Sequence, residues 1–171
     1  RSFFNNQEQN WPDKRFEEEG NFMTSWCHGA PGIGLGRACL WQTDAWDELC
    51  KEEIEIAAYK TAQQMKRVES DNLCCGKLGM TTILGTLIDG PWGIKKSISE
   101  LCKQSLREVR SGIINRCLNE EEELNCFGTK STNILQPGFF TGLSGIALAL
   151  IKEENTKKTV VQLLSAGLIG E

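Results

Sequence analysis

"CHGAPGI", residues 27 to 33, decides how this chain is read, because it comes back twice. The echoes are "CCGKLGM" at 74–80 and "FTGLSGI" at 140–146, each with glycine, two residues, glycine and then an apolar residue. The glycine pairs are Gly29 and Gly32, Gly76 and Gly79, Gly142 and Gly145. Every copy leads into a short apolar run of helical character: "GRACLW", "TTILGTLI" and "ALALI". Longer amphipathic stretches lie between them. One spans Asp44 to Arg67, with Trp46, Leu49, Cys50, Ile54, Ala57, Ala58 and Met65 at helical spacing. Asp44 is its expected N-cap, and Lys66 and Arg67 suit its end. The other spans Ser97 to Leu118 through Ile98, Leu101, Cys102, Leu106, Val109, Ile113 and Cys117, with Gly112 its weak point. Strand signals are nearly absent. The expected fold class is all-α, one short inner helix and one long outer helix per repeat. Glycines at the inner-helix starts let backbones crowd where helices converge.

At 171 residues the chain is the size of one domain. Residues 1–24, polar and aromatic without a period, read as an extended lead-in to the repeats of 25–171. A net charge of -4 and a pI near 5.2 exclude the basic footprint of a nucleic-acid binder. The acidic run Glu120 to Glu123 reads as a solvated loop or helix end. No apolar stretch approaches the roughly 20 residues of a membrane span. The first residue is Arg1, so the chain reads as a piece of a longer one. The eight cysteines do not suggest a disulfide scaffold, because such scaffolds are small and loop-rich and this chain is helical. Reduced thiols in a cytoplasmic protein are expected.

Just ahead of each first glycine stand Cys27-His28, Cys74-Cys75 and Phe140-Thr141. In a closed ring of units these positions would face a common centre, and the soft or borderline ligands gathered there suit zinc. A catalytic zinc keeps three protein ligands and one open position. The competing reading makes Cys74 and Cys75 small buried hydrophobes at a crowded helix start. Cys50, Cys102 and Cys117 lie on apolar helix faces and read as core, Cys39 reads as packing, and Cys126 in "ELNCFGTKS" is undetermined. A nucleotide loop is excluded: "GAPGIGLG" has neither dinucleotide nor Walker spacing, and no parallel sheet accompanies it.

"SWCHGAPGIGLGR", "CCGKLG" and "PGFFTGLSGIALALI", with the upstream "RSFFNNQEQNWPD", resemble the C-terminal cyclase domain of class II lanthipeptide synthetases, the LanM type. That domain is similar to the stand-alone LanC cyclases, and the resemblance covers nearly the whole chain. It implies an α/α toroid of the six-hairpin LanC-like kind, with this chain roughly its C-terminal half. It also implies a central Zn2+ held by Cys27, Cys74 and Cys75, the Cys-Cys pair matching the class II form. The implied reaction makes lanthionine or methyllanthionine: a substrate cysteine thiolate adds to dehydroalanine or dehydrobutyrine in a ribosomal precursor peptide. The implied partners are that dehydrated peptide, an upstream dehydratase domain and the missing N-terminal half of the cyclase in the same polypeptide. The implied location is cytoplasmic, with or without attachment to an export complex at the membrane.

The family's usual acid-base histidine and aspartate belong to the earlier half of the toroid and have no match here. This stretch alone is therefore expected to be inactive. His28 holds the repeat position of Cys75. As a fourth ligand it would close the site, so the preferred reading is an acid-base or orienting residue beside the metal, with a purely structural role as the rival. Two other functions stay open: a non-catalytic LanC-like module that keeps zinc and grips a thiol such as glutathione, and a plain helical scaffold.

Overall fold

The computed structural model of the chain describes residues 1–15, 21–119, 124–126 and 137–151. Among the described residues are five α-helices: α1 (Ala30–Ala38), α2 (Glu48–Gln64), α3 (Lys77–Asp89), α4 (Lys96–Asn119) and α5 (Leu143–Ile151). A 3-10 turn, Met65–Arg67, extends α2. No strand forms among these residues, only the isolated bridges Asn5–Asn10 and Ser25–His28. The fold is all-α. The helices following the three repeat copies are α1, α3 and α5, and α2 and α4 are the long helices between them.

Helix α3 is apolar nearly all round, and such a helix belongs in a core. Leu78, Met80, Ile83, Leu84 and Leu87 are fully buried. The hydroxyls of Thr81 and Thr82, also buried, donate back to the Leu78 carbonyl at 3.0 and 2.8 Å. Helices α1, α2, α4 and α5 all pack against α3, and α1 packs most extensively on α2. Small residues set the closest approach: a Cβ on Gly34 of α1 would strike Ala57 of α2 and Leu87 of α3. The buried carboxylates of α2 are paired. Glu53 accepts from Arg37 at 2.5 Å and from Arg1 at 3.4 Å, and Glu55 meets the Lys95 ammonium at 2.8 Å.

Three details depart from the periodic reading. First, α2 is capped by Asp47, whose Oδ1 accepts from the Cys50 amide at 3.0 Å, and not by Asp44. The residues between are used in turns that bring Trp41 and Trp46 together, ring centroids 4.7 Å apart, beside Trp92. Second, Cys39 and Cys117 are exposed, whereas Cys50 and Cys102 are buried. The turn of α4 that carries Cys117 and Leu118 lies open to solvent, as does Leu101, and periodicity alone cannot say how wide a helix's covered face is. Third, residues 1–15 are a run of turns, not an extended lead-in. Phe4 stacks on buried Trp11 at 4.8 Å, and the buried Asn10 side chain accepts from the Ala30 amide at 2.8 Å, capping α1 from outside the helix. The acidic run at 120–123 lies outside the described residues.

Candidate metal centre

Each repeat copy makes the same close contact at its helix start. Gly32, Gly79 and Gly145 sit in the first turns of α1, α3 and α5, against the carbonyl oxygens of Trp26, Leu73 and Phe139 respectively. Each of those is the residue immediately before the copy. A Cβ at any of the three would collide with that oxygen, so glycine is required for the loop to cross back over the helix. The loops are also bonded to one another in sequence. The Trp26 amide donates to the Cys74 carbonyl at 3.2 Å, and the Leu73 and Cys74 amides donate to the Phe140 carbonyl at 3.0 and 2.9 Å.

This stitching brings Cys27 from the first loop to Cys74 and Cys75 from the second. The three sulfurs lie within 4.8 Å of one another, with the Cys74 and Cys75 sulfurs 3.5 Å apart. Sulfurs sharing one tetrahedral ion at about 2.3 Å are about 3.8 Å apart, so small side-chain shifts suffice to seat it. Among the described residues no other group of three histidine, cysteine or acidic side chains converges in this way. Cys27 is exposed and Cys74 and Cys75 are half-buried, which leaves the cluster accessible from one side. The second loop is anchored from behind. Asn72 accepts the Cys75 amide at 2.9 Å and donates to the Cys126 carbonyl, and Ser70 donates to that same carbonyl at 3.2 Å. Burial, assisted by the neighbouring Cys74 and Cys27 thiols, pushes the Cys75 thiol up to about 12. Three thiolates this close need a cation, and the donor set suits a soft or borderline metal.

His28 stands beside the cluster and not in it. Its Nδ1 faces Oδ2 of Asp13 at 3.7 Å, beyond direct hydrogen-bond reach. Asp13 is almost completely buried and is held by Arg15, which donates to both of its oxygens, the shortest contact being 2.6 Å. Hydrogen bonding to the Arg15 guanidinium holds the Asp13 carboxyl down to about 2. The hydrogen bond to Asp13 in turn raises the Arg15 guanidinium, with smaller contributions from the charges of Cys27 and Cys75. Neither Asp13 nor Arg15 is singled out by sequence reasoning. A buried carboxylate two residues from its arginine leaves no periodic trace, and the one available signal is their place in the upstream segment "NWPDKR".

Comparison with protein families finds a match to the family described as lanthionine synthetase C-like protein, over residues 1–165. No curated protein and no solved structure matches the chain.

Proposed function

That this chain belongs to the lanthionine synthetase C-like family is the premise from which we propose its reaction, zinc-dependent thioether cyclisation of a dehydrated precursor peptide. The observation that carries the reading is the convergence of three cysteine sulfurs from two different copies of the repeat. Cys27, Cys74 and Cys75 are the ligands, and zinc is the metal that a three-thiolate set with one open position fits best. Bound there, zinc would hold a substrate thiol as its thiolate. The sulfur then bonds to the β-carbon of dehydroalanine or dehydrobutyrine, and the alkene pair moves onto the adjoining carbonyl. A proton delivered to the α-carbon completes lanthionine or methyllanthionine. His28 is the residue that delivers or directs that proton, with the Asp13 carboxylate 3.7 Å from its Nδ1.

The same reading makes the chain part of the cyclase domain of a LanM-type synthetase, roughly the C-terminal half of an α/α toroid. Its partners are the dehydrated peptide, the other half of the ring and an upstream dehydratase. The repeat supports this, because the step from one loop to the next is the same on both occasions. Reduced ligand thiols support a cytoplasmic location. No helix among the described residues is long and apolar enough to cross a membrane. The test is made on the chain joined to its upstream half. Metal analysis is expected to give about one zinc per chain, and a dehydrated peptide is expected to lose alkylatable thiols as rings form. Zinc retained without any ring formation would favour the thiol-gripping module, and no zinc at all would reduce the cysteines to packing.

A further inference from the structure

The third copy of the repeat brings no ligand to the centre. Cys27, Cys74 and Phe140 open the three copies, and the backbone treats them alike. Trp26 N–H donates to the carbonyl that opens the second copy, and Leu73 N–H donates to the carbonyl that opens the third. Phe140 therefore holds the register position that carries a sulfur in the other two loops. Phe139 packs against the core, but Phe140 is outside that cluster and 43% exposed. Its ring stands edge-on to Trp26 at 6.2 Å, and Trp26 directly precedes Cys27. The ring thus extends from a backbone bonded to Cys74 towards the loop that carries Cys27. A single exposed phenyl ring needs no explanation by itself. One in a ligand's register position, its backbone bonded to one cysteine loop and its ring against Trp26 of the other, does.

We infer that Phe140 contacts the incoming thiol substrate, as an apolar wall beside the position that the three cysteines leave open. It selects thiols carried on apolar or aromatic groups over small hydrophilic ones. The inference rests on the metal-centre reading above. No covalent step is involved, because the ring acts by contact alone. Aromatic contacts of this kind change affinity by about three- to tenfold.

The full chain loaded with cobalt(II) in place of zinc gives a direct readout, since a sulfur-to-cobalt absorption band reports thiol binding without turnover. Titrations would compare benzyl mercaptan with 2-mercaptoethanol, each corrected for its own thiol ionisation. The unaltered chain is expected to prefer benzyl mercaptan by about three- to tenfold. Phe140→Ala should abolish the preference while cobalt uptake stays the same. Phe140→Gln, a polar side chain intermediate in size between alanine and the original ring, decides the matter if the alanine variant does not fold, and it too should show no preference. A preference that persists in a folded variant, or is missing from the unaltered chain, overturns the role given to Phe140. A chain that takes up no cobalt overturns the metal centre and this inference together, and the metal content measured before thiol is added tells the two failures apart.

Discussion

Among single residues, His28 and Cys75 have the most at stake. They occupy the same position in two copies of one repeat, yet one faces a carboxylate and the other two sulfurs. In the complete domain, His28→Asn is expected to leave one zinc in place, because the imbalance it creates lies outside the ligand set. Cyclisation should slow by roughly 10²–10⁴-fold, less where uncatalysed addition sets a floor. Metal analysis and thiol-alkylation mass spectrometry on one sample report both quantities, and lost zinc would make the imidazole a ligand. Cys75 sets a pH dependence. Its thiol lies well above the ordinary range, so protons compete with metal for it at every physiological pH. Metal affinity should rise with pH, by up to about tenfold per unit for each ligand that must release a proton. Competition with a chromophoric chelator between about pH 6 and 8 measures the slope, and a flat response would argue against thiolate ligation. The cysteine positions are legible in the sequence because adjacency to a repeated glycine marks them. Asp13 and Arg15 are not, since a carboxylate buried beneath its arginine becomes visible only when the chain has closed around it.

Among the helices, the glycines divide into two kinds with opposite expectations. Alanine ordinarily stabilises a helix interior by about 1 kcal/mol relative to glycine. Gly112 on α4 is exposed, and nothing lies near where its Cβ would be, so Gly112→Ala should give about that gain. Gly79 in α3 faces the Leu73 carbonyl, so Gly79→Ala should instead cost roughly 1–3 kcal/mol and displace the Cys74–Cys75 loop. Thermal or urea unfolding of the two variants tests the sign of each, and a stabilised Gly79→Ala would refute the crossing-loop geometry. The repeat was readable because a forbidden Cβ is written directly into the sequence as glycine. Other features of the helices were not. Asp47 displaced Asp44 as the cap of α2 through the distant pairing of Trp46 with Trp41 and Trp92, and Cys117 was exposed by the limited cover over α4.

For the whole molecule, the repeated loop-to-loop step raises the question of where it stops. One further step on either side would pair the Phe139 amide and the Cys27 carbonyl, and neither has a partner among the described residues. The toroidal reading fills both places with further units. It predicts that residues 1–171 alone self-associate through uncovered inner-helix faces, and that joining the upstream half yields a cooperatively melting monomer. Sedimentation of the two forms tests this, and a monodisperse monomer from the short form would make it a self-sufficient domain. One feature acts at every scale, the Trp26 amide bonded to the Cys74 carbonyl, which joins the two ligand-bearing loops by their backbones. A metal arriving at such a pair meets donors that are already assembled. Its capture is then a simple bimolecular encounter, with a rate that climbs in proportion to metal concentration and reaches no plateau set by a slow rearrangement of the chain.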